Sequence, residues 1–205
     1  MKKTIICNIP MKSVKTNVFL SKDLSLPVSK SDYVYPINSF LSQTISEGDE
    51  VRAILLVKKD KKGIYKDNIG KFELEMNSIC GEKKIPLEYK IIETEFNQEK
   101  ETHEQVMGRL VDEIEIGTHI LADITFGPKD LPIEVFTALS FAERFLKCSI
   151  ENIIYGQAEF GADGSILKTE IWDMIPLYYL NSLTNTIKCD DPEKARQMLK
   201  SLLTF

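Results

Sequence analysis

The sequence lacks long hydrophobic runs, paired cysteines and an excess of basic charge. No apolar stretch approaches the roughly 18 consecutive residues of a membrane-spanning helix, so we expect no membrane partner. The four cysteines are far apart in the sequence, and none has a cysteine or histidine nearby. This spacing argues against a zinc site and a disulfide framework, and it favours the reducing cytoplasm. A formal net charge of −5 disfavours broad binding to long nucleic acids.

The common nucleotide-binding and metal-binding signatures are also missing. The first predicted strand is followed by NIPMKS rather than GxGxxG, and the P-loop pattern GxxxxGK[ST] does not occur. Metal-ligand spacings are absent, so we expect no cofactor and no metal ion. Of the two histidines, His103 is expected to face water at the start of an acidic helix, and His119 to be a structural residue at the start of a strand.

Strand-like runs alternate with helical segments along the chain. Predicted strands cover residues 4–9, 51–57, 87–92, 119–124, 150–155 and 165–172, and predicted helices cover 37–45, 65–78, 99–114, 131–146, 176–187 and 192–203. Such alternation indicates parallel strands joined by right-handed crossovers. The predicted fold is α/β, a Rossmann-like and mostly parallel sheet with helices on both faces.

The expected domain organisation is a single domain over residues 1–190. A C-terminal helix within 191–205, capped by Asp190 or Asp191, is predicted to pack on that domain. Residues 10–36 do not fit the alternation. A connection of this length in a compact domain is usually functional or mobile.

The stretch HILADITFGPKDLPIEVF, residues 119–136, joins a predicted strand to a predicted helix through a tight loop. In open α/β sheets, ligands bind outside the carboxyl ends of the strands. The start of the helix would offer free backbone N–H groups to an anion, and Gly127 would let the anion approach the backbone closely. Thr125 would add a hydroxyl group, and Lys129 would add a positive charge. These groups together suit a phosphate. The alternative is an ordinary turn, broken by Gly-Pro and capped by Asp130.

The same stretch carries a family resemblance. Asp-Ile-Thr-Phe-Gly-Pro-Lys at residues 123–129, followed by Leu131-Pro132, resembles the signature Asp-aliphatic-Thr/Ser-x-Gly-x-Lys/Arg of CARF domains. These are the CRISPR-associated Rossmann-fold sensors of type III systems, and the likeness is greatest to their Csx-type proteins. Tyr155-Gly156 with Glu159, and Asp173 before a helix, also fit. The resemblance covers residues 118–180.

The resemblance implies a receptor for cyclic oligoadenylate, with cyclic tetra-adenylate as the expected ring, in type III CRISPR antiviral defence. A ring-shaped polyanion suits a two-fold homodimer that contributes the same loop twice. The basic N-terminal region would raise the positive potential, and residues 10–36 would close over the ring as a lid. The expected ligand-binding residues are Asn8, Ile9, Pro10, Met11, Lys12, Asp123, Thr125, Phe126, Gly127, Pro128, Lys129, Gly156 and Gln157.

Whether the protein cleaves its ligand is left open by the sequence. A ring nuclease uses the ribose 2′-hydroxyl as nucleophile and needs in-line positioning and a cation, for which Lys129 is the candidate, with Thr125 as positioner. No Arg-x4-6-His pattern of a HEPN ribonuclease is present. Two alternatives remain: a non-catalytic dimeric subunit that regulates a separate effector protein, and an unrelated α/β enzyme that binds a phosphometabolite.

Overall fold

The computed structural model describes residues 1–203, which include a six-stranded sheet. The strands run in the order β3-β2-β1-β4-β5-β6. Their bounds are β1 Lys2–Asn8, β2 Glu50–Lys59, β3 Leu87–Glu95, β4 His119–Asp123, β5 Ser149–Phe160 and β6 Ile166–Asp173. Strands β1 to β5 pair in parallel and β6 is antiparallel to β5. The predicted Rossmann-like α/β fold is confirmed.

Helices cover both faces of this sheet. Their bounds are α1 Pro36–Thr44, α2 Ile64–Glu82, α3 Lys100–Glu113 and α4 Asp130–Phe145. Alternate residues of the central strands, such as Ile5, Cys7 and Leu55, share one hydrophobic cluster with residues of α1 and α2. The intervening residues point to the other face, where α3 and α4 pack, so the central strands are apolar on both sides, as parallel sheets require.

Every predicted strand and helix is present, with small shifts at the ends. The largest difference is β5, which was predicted to end at residue 155 and instead runs to Phe160. The extension pairs with β6 in an antiparallel hairpin, with Gly156 opposite Ile171. This hairpin carries β5 beyond the end of its parallel neighbour and forms one side of the cleft described below.

The chain divides into two compact units after Asp173, earlier than the predicted boundary at residue 190. The second unit begins at Met174 and contains α5 Ile175–Thr186 and α6 Pro192–Leu203. Asp191 caps α6 as predicted, because its Oδ1 accepts the backbone N–H of Glu193 at 2.9 Å. Thr204 and Phe205, the end of the predicted 191–205 helix, lie outside the described residues. Among described helices, none is both long and apolar enough to cross a membrane.

Candidate functional site

The sheet order creates a crevice between β1 and β4. From β1 the chain continues to β2 on one side, and from β4 it continues to β5 on the other, while β1 and β4 are direct neighbours. Ligands of open α/β sheets bind at such a switch point, outside the carboxyl ends of the strands. Asn8 ends β1, and Asp123 ends β4 directly beside Cys7. Candidate residues at the ends of β1 and β4 therefore lie at this edge of the sheet.

A cleft of about 770 Å³ opens at this edge. The 10–36 segment forms one wall, the loop after β4 contributes Thr125 and Phe126, and the β5–β6 hairpin closes the far side. Lys12 and Lys15 line the cleft, and no aspartate or glutamate is among the described residues that line it. Two lysines without a carboxylate in the lining favour an anionic ligand.

The 10–36 segment is held in place by hydrogen bonds to α2. The Asn68 side-chain amide donates to the backbone oxygens of Pro10 and Lys12, at 2.8 and 2.9 Å. Lys71 Nζ donates to the backbone oxygen of Val14 at 2.8 Å. Because Asn68 is fully buried, its bonds fix the path of the chain just where the segment leaves β1.

The middle of the same segment is bonded to β6. The backbone N–H of Leu20 donates to the Thr169 oxygen at 2.9 Å, and the N–H of Ile171 donates to the Leu20 oxygen at 2.9 Å. The Thr169 hydroxyl also donates to the Val18 oxygen at 2.8 Å. The segment is thus a wall attached to two elements of the fold, and the prediction that it closes as a lid stays a prediction.

Asp123 is buried beneath the β4–α4 loop and holds that loop by hydrogen bonds, and it does not line the cleft. Its side chain is almost fully buried and accepts the backbone N–H groups of Thr125 at 2.8 Å and Ile37 at 3.2 Å. Burial raises the pKa of Asp123 to about 6, although the hydrogen bonds from Thr125 and Ile37 act in the opposite direction. Asp123 therefore links the loop to the start of α1.

Thr125 and Gly156 lock the loop against β5. The Gly156 backbone N–H donates to Thr125 Oγ1 at 2.7 Å. A Cβ at position 156 would lie 2.6 Å from Pro36 Cγ, which is closer than real Cβ contacts come, and 3.1 Å from Thr125 Cγ2, which is tighter than most. Only glycine permits this approach, and the Thr125 hydroxyl oxygen is thereby already used as an acceptor within the protein.

The structure brings some of the predicted ligand-binding residues together and leaves others apart. Lys12, Thr125, Phe126, Gly156 and Gln157 line the cleft. The remainder do not line it: Asn8, Ile9, Pro10 and Asp123 are buried, Met11 and Pro128 are half-buried, and Gly127 and Lys129 are exposed.

Gly127 and Lys129 mark the turn into α4. Gly127 has a φ of 86°, and a Cβ there would lie 2.9 Å from Leu131 Cδ1, so the turn requires glycine. Lys129 immediately precedes the first residue of α4 and makes no side-chain capping bond. The expectation that Lys129 holds the ligand phosphate stays a prediction.

Several cleft residues were missed by sequence reasoning. Lys15, Asn17 and Phe160 line the cleft but belong to segments that carry no recognisable motif. The lysines within residues 1–31 were the one available signal, since their clustering indicated a positive region near the first strand. His119 is satisfied by Ser149 and Glu151, each 2.8 Å from its Nδ1, which agrees with its predicted structural role.

The prediction that His103 faces water is wrong. Its Nδ1 lies 2.6 Å from Glu134 Oε1 on the neighbouring helix α4, and its side chain is only partly exposed. Sequence periodicity placed His103 at the start of α3, but the packing partner is 31 residues away along the chain and could not be inferred from local pattern.

No protein-family model matches the chain, and no curated protein is significantly similar to it.

Proposed function

We propose that the cleft binds cyclic oligoadenylate, and that the protein is a cytoplasmic receptor of the CARF type in antiviral defence. The observation that carries this proposal is the lining of the cleft, which among the described residues includes Lys12 and Lys15 and no carboxylate. The cleft lies at the switch point of a Rossmann-like sheet, beside the loop whose residues 123–129 resemble the CARF signature. A polyanion is the ligand that this charge distribution suits best.

Aromatic and small residues in the cleft suit the adenine bases. Phe126 is fixed edge-on against Tyr35, with ring centroids 5.7 Å apart, and it also lines the cleft. Phe160 lines the cleft from the β5–β6 hairpin and is 62% exposed, so one face is available for stacking. Stacking of a base on an aromatic side chain contributes about 1–3 kcal/mol. A nucleotide site is expected to have lysines that contact the phosphates and, beside them, aromatic rings on which the bases stack.

The size of the cleft favours a ligand shared between two protomers. A volume of about 770 Å³ is within the range for one drug-sized molecule, which is smaller than a ring of four nucleotides. Part of the ring would occupy one cleft, and a two-fold partner would supply the other. Exposed apolar side chains on α6, namely Met198, Leu202 and Leu203, are consistent with a surface covered in a homodimer.

Ring cleavage is the optional part of the proposal. It needs an in-line 2′-hydroxyl and a cation beside the phosphate that is attacked. Lys12 and Lys15 line the cleft, whereas Lys129, the cation expected from the sequence, does not. The Thr125 oxygen already accepts the Gly156 N–H. Binding therefore has more structural support than cleavage, and the same assay measures both.

The experiment is incubation of the pure protein with labelled cyclic tetra-adenylate in EDTA. We expect retention of the ring, with affinity reduced at least about tenfold in Lys12→Ala/Lys15→Ala, since two phosphate contacts are lost. The matched control is Lys61→Ala/Lys62→Ala, which removes the same charge from exposed lysines that do not line the cleft. Linear product would add ring-nuclease activity, and comparison with Lys129→Ala tests its predicted role.

Three outcomes separate the candidate functions. Retention without cleavage supports a receptor that regulates a separate effector. If Lys61→Ala/Lys62→Ala weakens binding as much as Lys12→Ala/Lys15→Ala does, the cleft is not the binding site. Absence of binding would reject the proposal and favour a different phosphate-containing metabolite.

A further inference from the structure

A second polar cluster lies on the opposite face of the sheet, where α3 and α4 meet over the end of β2. It contains His103 on α3 and Asp130 and Glu134 on α4. His103 Nδ1 lies 2.6 Å from Glu134 Oε1 and 3.9 Å from Asp130 Oδ2. One donor atom from each residue falls within 4.8 Å of the others. The spacing of four residues between Asp130 and Glu134 places both carboxylates on the same side of α4.

Buried polar atoms in this cluster have no hydrogen-bond partner. Glu134 is 8% exposed, and its Oε2 accepts no hydrogen bond from any described residue. Asp130 Oδ2 and Lys58 Nζ are likewise without hydrogen bonds, although the two atoms lie 3.3 Å apart as an ion pair. A buried carboxylate oxygen without a donor is costly, because it has lost its water without replacement. The Glu134 oxygen therefore points to a missing cationic partner.

The charges of the cluster lead to the same conclusion. Asp130 and Glu134 bring two negative charges, and the fully buried ammonium of Lys58 brings one positive charge. The two carboxylates therefore outnumber the single lysine that faces them, and the Glu134 carboxylate is mostly removed from water. Proteins avoid this arrangement by pairing the charge or by binding a metal ion.

We propose that His103, Asp130 and Glu134 bind a divalent first-row transition-metal ion. One imidazole nitrogen with two carboxylate oxygens is a ligand set that suits Zn²⁺ or Mn²⁺, whereas Mg²⁺ prefers oxygen ligands only. Metal bonds of about 2.1 Å in a tetrahedral arrangement separate the ligand atoms by about 3.4 Å, so His103 Nδ1 and Glu134 Oε1 need to move apart by about 0.8 Å. Small side-chain rotations accomplish this.

The arrangement has the features of an open site rather than a closed structural one. Three protein ligands leave a coordination position for water or a substrate. His103, Asp130 and Glu134 all line a second cleft of about 720 Å³, from which the ion and a ligand can enter. The sequence gives no sign of this site, because 31 residues separate His103 from Glu134 and metal-binding motifs have ligands close together along the chain.

The test is metal titration of tag-free protein that has been stripped with EDTA and dialysed. Co²⁺ is the spectroscopic probe, and Zn²⁺ and Mn²⁺ are titrated by calorimetry. We expect one equivalent to bind, a visible Co²⁺ absorption band, and a rise in melting temperature on addition of metal. Glu134→Gln and His103→Gln should each lower the affinity at least about tenfold, since each removes a ligand but keeps the side-chain size.

His119→Gln is the matched control, because it changes the only other histidine in the sequence. It should leave metal binding unchanged. Failure to bind one equivalent would overturn the proposal and leave His103 and Glu134 as a hydrogen-bonded pair. Equal loss in the control, or no loss in the two ligand variants, would also overturn it. Circular dichroism of each metal-free variant shows whether it is folded, and the Co²⁺ spectrum of the unmodified protein tests the site without any variant.

Discussion

Replacing Asp123 by asparagine should change the way stability depends on pH. Burial raises the pKa of Asp123 to about 6 in the folded protein, compared with 3.8 for an ordinary aspartate. A raised pKa means that the folded state holds a proton which the unfolded chain has already released. The stabilising contribution is therefore complete below about pH 3.8 and is lost as the pH rises through about 6.

The magnitude follows from the two pKa values. The interval from 3.8 to about 6 corresponds to about 3 kcal/mol, and about 2 kcal/mol of this falls between pH 4.5 and pH 8. Asparagine does not titrate, so it does not lose this contribution. The unfolding free energy of Asp123→Asn, relative to that of the natural protein, should therefore rise by about 2 kcal/mol from pH 4.5 to pH 8. Altered hydrogen bonds to Thr125 and Ile37 add an offset that is nearly constant with pH, and only the slope tests the reasoning.

The assay is urea-induced unfolding of both proteins from pH 4.5 to 8 at constant ionic strength. The single tryptophan, Trp172, lies in β6 and reports on the sheet. Asp163→Asn is the control: hydrogen bonds from Ser165 lower the pKa of this exposed carboxyl below 3.8, so its titration lies under the measured range. A difference between Asp123→Asn and the natural protein that stays flat or falls with pH would refute the argument.

Three further predictions concern packing, buried charge and salt. Gly156→Ala should destabilise the protein by about 1–3 kcal/mol, because the added Cβ would lie 2.6 Å from Pro36 Cγ. Gly70→Ala should stabilise it by up to about 1 kcal/mol, because Gly70 lies inside α2 and has open space around it. Urea unfolding measures both changes. Lys58→Met should lower the unfolding free energy of metal-free protein by about 3 kcal/mol, because Asp130 loses its counter-charge. The double variant Lys58→Met/Asp130→Asn should recover part of that loss. Equal stability of the single and double variants would contradict this prediction. Affinity for cyclic tetra-adenylate should fall steeply between 50 and 500 mM salt, and an affinity that does not change would indicate that base stacking dominates over phosphate contacts.

The fold was predictable because the core strands carry a strong and unambiguous pattern. Ile54, Leu55 and Leu56 are successive, apolar and fully buried, which is the signature of a strand covered on both faces. The end of β5 was missed because Gly156 to Phe160 is mostly polar or small and exposed, and only its pairing with β6 makes it a strand. The residues of this segment alone do not indicate that it pairs with β6.

The placement of the β4–α4 loop at the carboxyl edge was predictable, but the residues that line the cleft were predictable only in part. A strand that ends in Asp123 and continues through Gly127 into a helix must place its loop at the carboxyl edge of the sheet. Which lysine reaches the cleft depends on long-range contacts. Asn68 fixes the path of the first-strand loop from 58 residues away, and this brings Lys12 and Lys15 to the cleft. Lys129, only four residues beyond Thr125, does not line it.

The loop between β4 and α4 connects the two proposed sites. At one end, Thr125 and Phe126 face the cleft that Lys12 lines. At the other end, Asp130 opens α4 and pairs with Lys58 on the opposite face of the sheet. A chain that crosses from one face of a sheet to the other in so few residues needs a sharp turn, and the left-handed conformation of Gly127 provides it. The glycine that matches the family signature is therefore also what this crossing requires, so binding tests of the lining lysines are more informative than the motif itself.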